Sequence, residues 1–183
     1  MNNEVVYRNI LDLFDKHHVK YALLHHPPCR TSEESAQARA GAGYPEAVGA
    51  KALTVKCEFI DRTVNATLVL PGFARLEGKI VKANIPGLKR FRFLTVDEMR
   101  AAVQLSPGCM PPFGPSIFPA MERLFVDVRL KDFSTIGFNA AHAERSIVVS
   151  LRDYLQVATP VTVVPLSEAT DSSERAELMR TID

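Results

Sequence analysis

The chain has no tryptophan and only three cysteines, Cys29, Cys57 and Cys109, none of them in a CxxC pair. An odd number of scattered cysteines argues against a disulfide framework and the missing pair spacing against a zinc knuckle, so reduced thiols are expected. The histidines stand as His17-His18, His25-His26 and His142. Neighbours on a strand point to opposite faces, so neither doublet chelates, and neither a metal nor another cofactor is expected. No apolar run approaches the roughly 20 residues of a membrane span. The opening Met1-Asn2-Asn3-Glu4 lacks the basic-then-apolar order of a signal peptide, and the expected location is the cytoplasm. A GxSxG elbow and an HExxH helix are also missing, which leaves ordinary serine-hydrolase and zincin chemistry unsupported.

What is present fits one soluble domain. A chain of 183 residues, 46% hydrophobic and 23% charged, is long enough to bury a sizeable core. We expect a single domain over residues 1–166 and a polar, acidic tail over 167–183. The formal net charge of +1 hides an uneven distribution. Arg75, Lys79, Lys82, Lys89, Arg90 and Arg92 face only Glu77 between Phe73 and Arg92, whereas the segment from Glu168 to Asp183 is mainly acidic. The basic segment is either a solvated face or a phosphate-contacting surface, with Lys79, Lys82, Lys89, Arg90 and Arg92 as candidate RNA contacts.

Periodicity places a helix over Asn3 to His17, a strand over Tyr21 to His25 and a helix after the capping box Thr31/Glu34. Strands follow over Ala50 to Phe59 and Val64 to Leu70, then a helix after Pro71-Gly72 that holds Leu76, Ile80 and Val81. A strand near Phe91 to Leu94 precedes a second capping box, Thr95/Glu98, and a helix to Val103. Further strands are expected at Leu124 to Val128, Thr135 to Phe138 and Arg145 to Ser150, with a short helix capped by Ser150. This irregular interleaving predicts an α+β fold, a mixed and mainly antiparallel sheet with helices packed around it.

Two segments carry candidate chemistry. Gly49-Ala50-Lys51-Ala52-Leu53 puts a lysine at the mouth of an apolar strand, and Ser106-Pro107-Gly108-Cys109-Met110-Pro111-Pro112-Phe113-Gly114 is a proline-stiffened glycine loop. A cation facing fixed backbone donors suits a phosphate or a developing oxyanion. Two other readings stay open: a Cys109 nucleophile with His26 or His142 as base, and a non-catalytic RNA- or nucleotide-binding domain.

These residues resemble the YbaK and prolyl-tRNA-synthetase-associated editing domains, which hydrolyse mischarged aminoacyl-tRNA. The likeness runs from His25-His26 through the Lys51 strand and the Gly108 loop to Ile136-Gly137-Phe138-Asn139-Ala140-Ala141. It is closest to the free-standing YeaK-type branch. The resemblance implies a metal-independent, trans-acting aminoacyl-tRNA deacylase serving translation fidelity. Its partner would be the 3′ acceptor end of a charged tRNA rather than DNA or a membrane, and an elongation factor or a synthetase are further partners it leaves open. By the same resemblance Lys51 holds the terminal adenosine and orients the ester, while Gly108 and Pro112 shape the loop that places the attacking water. Met110, Pro111 and Phe113 of that loop, with His26 and Asn139, would contact the substrate. Asn139 stands where some relatives that clear alanyl-tRNA carry histidine, a departure that bears on alanine preference.

Overall fold

The computed structural model describes residues 2–29, 31–105 and 108–168. Ser106 and Pro107 of the glycine loop, and the acidic stretch after Glu168, lie outside the described residues.

Helix α1 (Asn3–Lys16) opens on Asn2, whose side chain accepts the Val5 N–H at 2.9 Å. Its Val6, Tyr7, Ile10 and Phe14 recur at helical spacing and are buried. After β1 (Tyr21–His25), α2 (Ser32–Gly41) begins at the expected capping box, with Thr31 Oγ1 and the Glu34 carboxylate satisfying each other's backbone N–H. The long strand β2 (Val48–Glu58) and β3 (Thr63–Pro71) pair antiparallel, Lys51 opposite Leu70. Then come α3 (Gly78–Asn84), β4 (Arg90–Phe93), and α4 (Val96–Val103) behind its Thr95/Glu98 box. The chain closes with β5 (Arg123–Asp127), β6 (Thr135–His142), β7 (Arg145–Ser150), α5 (Leu151–Val157) and β8 (Thr162–Val164).

The strands run in the order β1-β7-β6-β2-β3-β5-β8, with β4 added to β2. Pairs β1·β7, β6·β7, β2·β3 and β2·β4 are antiparallel, while β2·β6, β3·β5 and β5·β8 are parallel. This is the mixed, mainly antiparallel α+β sheet that the sequence predicts. Its alternating strands feed two apolar clusters. The larger contains the α1 stripe, α5 and the segment around Phe113, and the smaller contains Val81 and Ile85 with one face of β2 and β3.

Some local structure departs from the pattern in the sequence. The helix expected directly after Gly72 starts only at Gly78. Leu76 instead makes a β-bridge with Ser167, and the Glu77 N–H donates to the Leu166 carbonyl at 3.0 Å, which keeps the chain extended until Glu77 caps α3. Strand β8 and the 3-10 turn Val128–Asp132 carry too few residues for a periodic signal, and β8 exists because β5 offers it a parallel edge. Helix α1 also holds the β6–β7 hairpin. Asn3 Nδ2 donates to the Ala141 carbonyl at 2.7 Å, Arg145 meets Glu4 at 3.0 Å, and the Arg145 guanidinium lies 4.6 Å from the Tyr7 ring centroid.

Candidate functional site

The sheet splits along one edge of β2. That edge pairs with β6 only at Val48 and Gly49, and with β4 only from Val55 to Glu58. Between these stretches no described strand pairs with that edge at residues 50–53, and a cleft of about 360 Å³ opens there. On the β6 side it is walled by Gly137, Asn139, Gly108 and Met110, and on the β4 side by Phe93, Leu94 and Met99. Cys29, Lys51 and the α2 residues Ser32, Ser35 and Arg39 complete its lining.

Lys51 is half-buried, and its ammonium donates to the Gly72 carbonyl at 3.1 Å and to the Ala74 carbonyl. A lysine has three N–H donors, so one remains for a ligand. Burial lowers its pKa below the ordinary lysine value, with Glu33 opposing the shift and Arg75 adding to it. Arg39 is 3% exposed, and its Nε donates to the Ala47 carbonyl at 3.3 Å. Burial pushes the guanidinium down to about 10, against the opposing influence of Cys29, so it is charged at neutral pH. It lies across two facing strand glycines: a Cβ on Gly137 would fall 2.2 Å from Arg39 Cδ, and one on Gly49 would fall 3.0 Å from Nη2. Among the described residues no carboxylate or imidazole lines the cleft. Neither cation makes an ion pair among the described residues, and the field favours an anion or a developing oxyanion.

Asn139 Nδ2 donates to the Gly108 carbonyl at 3.2 Å and ties β6 to the glycine loop. Its Oδ1 is buried and has no hydrogen-bond partner among the described residues, so it is an acceptor available to a ligand or a water. Gly108 takes φ +82, a left-handed conformation that only glycine adopts freely.

The structure thus brings Lys51, Gly108, Met110 and Asn139 together, but it turns the rest of the loop inward. Phe113 is fully buried, its ring 5.7 Å from that of Phe138 and 5.6 Å from that of Tyr154. Tyr154 Oη donates to the Pro112 carbonyl and Thr67 Oγ1 to the Phe113 carbonyl at 2.9 Å, while Pro111 is likewise buried. These three residues anchor the loop without lining the cleft. His26 does not line the cleft. Its Nδ1 is 2.8 Å from the Pro27 carbonyl and its Nε2 2.8 Å from Ser146 Oγ. The thiol beside His26 is Cys29, at 3.3 Å. Cys109 is buried and its thiol pushed up by that burial, against a backbone hydrogen bond at Ala143. His142 instead approaches Glu4 and the edge of Tyr7.

The basic segment divides. Arg92 makes a two-pronged pair with Glu98 at 2.6 and 2.7 Å, and Arg90 meets Glu58 at 2.6 Å. Lys79, Lys82 and Lys89 make no ion pair among the described residues, and none of the five lines the cleft.

Sequence reasoning missed Arg39 and Cys29. Arginine in an alanine-rich helix normally marks the solvated face; the available signal was a pair of glycines, Gly49 and Gly137, each inside a strand where a side chain is expected.

Residues 26–157 match the family described as the aminoacyl-tRNA editing domain. Among solved structures, a hypothetical protein is 22% identical with a TM-score of 0.71, over 87% of this chain and 99% of that one. A candidate trans-editing enzyme for prolyl-tRNA synthetase is 17% identical with a TM-score of 0.69, over 90% and 98%. A candidate signal transduction protein from Marinobacter aquaeolei is 11% identical with a TM-score of 0.60, over 94% of this chain and 35% of that one. At these identities the likeness is one of fold. No curated protein matches the sequence.

Proposed function

Because the chain belongs to the aminoacyl-tRNA editing domain family, we propose that it is a deacylase acting in trans, hydrolysing the ester of mischarged tRNA in the sheet-split cleft. The observation that carries this reading is the meeting of Lys51 and Arg39, neither ion-paired among the described residues, with the Gly108 wall, and the fold shared with a candidate trans-editing enzyme supports it.

In the proposed reaction the 3′ end enters the cleft with its ester beside Gly108. The free Lys51 N–H engages an anionic or ester oxygen of the terminal nucleotide, and Arg39 adds positive potential from the cleft lining. Asn139 Oδ1 accepts a hydrogen bond from the attacking water and fixes its orientation. The water oxygen bonds to the ester carbonyl carbon, charge gathers on the carbonyl oxygen near the two cations, and the bond to the ribose oxygen breaks. One proton of the water passes to the departing ribose oxygen and the other to solvent, and the amino acid departs as its carboxylate. Aminoacyl esters are labile, so alignment and electrostatic stabilisation supply the acceleration without a side-chain nucleophile or a metal. Lys79, Lys82 and Lys89, which make no ion pair among the described residues, meet acceptor-stem phosphates in this reading.

The test is a panel of tRNAs charged with serine, threonine, alanine and cysteine, with ester loss measured for the wild type and for Lys51→Ala. Hydrolysis of at least one ester that falls ten-fold or more in the variant is the expected result. Binding of charged tRNA without ester loss would make the protein an RNA-binding domain. Loss of activity in Cys29→Ser or Cys109→Ser alone would replace the mechanism with a covalent one.

A further inference from the structure

Phe93 is unexplained by the chemistry above. Large hydrophobic side chains left exposed among the described residues are Val5, Ile60, Phe93, Val96 and Val128, and Phe93 is the one aromatic ring in that set, at 56% exposure. It is also the one that lines the cleft. Phe91, two residues earlier on the same face of β4, shows what a covered ring looks like here. Phe91 packs on the smaller core cluster, and a Cβ on Gly78 of α3 would lie 4.0 Å from it. Phe93 stands opposite Val55 at the end of β4, where its pairing with β2 stops. A singly exposed ring needs no explanation, but one set in the wall of a groove marks a contact site for a ligand.

The cleft is polarised along β2. Arg39 and Lys51 lie toward one end, and Phe93, Leu94 and Met99 form the other. Lys51 and Val55 are four residues apart on one strand, about 13 Å at the usual strand rise of 3.3 Å per residue. A flat apolar ring at one end and unpaired cations at the other complement a nucleotide, which has a π-face and an anionic group joined by a sugar. Single-stranded RNA ends are held in this way, with bases stacked on aromatic rings and the backbone tracked by cations. We propose that Phe93 is the platform on which the purine base of the RNA 3′-terminal nucleotide stacks, placing the ester beside Gly108. This deepens the deacylase reading and rests on it for the identity of the RNA.

The absence of tryptophan from the chain makes Phe93→Trp a sole-indole reporter. Titrating that variant with AMP should quench its emission saturably, with CMP weaker and ribose 5-phosphate without effect. In kinetics on an aminoacylated RNA minihelix, Phe93→Ala should raise KM about ten-fold, as expected for losing one base–aromatic stack. The loss should be at least about five-fold smaller on an aminoacyl ethyl ester, which has no base, and Phe93→Tyr should restore the RNA value. Equal quenching by AMP and ribose 5-phosphate, or equal losses on minihelix and ethyl ester, would overturn the platform. If no ester is hydrolysed but AMP still quenches, the deacylase reading falls and the stacking site stands. If esters are hydrolysed and both measurements at residue 93 are flat, the platform alone falls.

Discussion

Lys51 and Lys56 lie five residues apart on the same strand and illustrate opposite uses of a lysine. Lys56 reaches Glu98, which also binds Arg92, and that cluster ties β4 and α4 to β2. Glu98 is held well below the usual carboxylate range, first by Arg92, then by Lys56 and the Thr95 backbone, against a smaller opposing effect of burial. Among the described residues Lys51 hydrogen-bonds only to carbonyl oxygens. Carbonyls satisfy hydrogen-bond donors without cancelling charge, so Lys51 remains a cation toward the cleft while Lys56 is neutralised in place. The boundary between the two regimes is the point where β4 begins to pair.

The sharpest way to break this contrast is to truncate each lysine. Lys51→Ala should lower deacylation ten-fold or more with the fold intact, since a charged hydrogen bond is worth about 1.5–3 kcal/mol. Lys56→Ala should leave turnover nearly unchanged. Similar kinetic losses in both variants would erase the distinction.

Next in size is the buried arginine of the cleft lining. A buried charge without a counter-ion contributes little to stability. Arg39→Met should therefore hold or raise the melting temperature while reducing deacylation several-fold. Gly137→Ala should cost about 1–3 kcal/mol of overpacking strain in a urea titration, because its new methyl meets Arg39 Cδ. Arg39→Ala in the Gly137→Ala background should recover most of that loss, whereas additive effects would mean that the two positions do not meet.

A smaller effect is expected in the pH profile. Activity that needs the Lys51 ammonium is complete below its lowered pKa and falls as pH rises through it, at a lower pH than for an exposed lysine. After subtraction of spontaneous hydrolysis, Lys51→Arg should move that alkaline limb upward. The smallest effect belongs to the thiols: Cys109→Ser should keep most activity, and Cys109 should alkylate slowly because burial raises its pKa.

Local signals were the readable part of this chain. Both capping boxes, β1, α4 and β7 stand where side-chain spacing puts them, because each depends on residues within a few positions of one another. Lys51 and Gly108 were legible as a cation at a strand mouth and a glycine in a stiff loop. The cleft itself was not. It arises because β6 and β4 claim different stretches of β2, a pairing decision with no local trace. The fate of the cations was equally non-local: Arg90 and Arg92 belong by composition to a basic segment, yet Glu58 from β2 and Glu98 from α4 neutralise them. The inward turn of Pro111, Pro112 and Phe113 depends on Thr67 and Tyr154, far away in sequence.

The bond from Asn3 to Ala141 and the Glu4–Arg145 pair make the first turn of α1 a clasp on the hairpin that carries Asn139. Mechanical slack at the front of the chain is thereby passed to the cleft. A bulky fusion ahead of residue 3, or a truncation that removes Asn3 and Glu4, acts on the acceptor oxygen of Asn139 through the hairpin's freedom to swing, though neither change touches the cleft. Acid loosens the same clasp. Arg145 holds the Glu4 carboxyl below its ordinary pKa with help from Arg8, so the tie persists through the mildly acidic range and is released as pH falls through that lowered value.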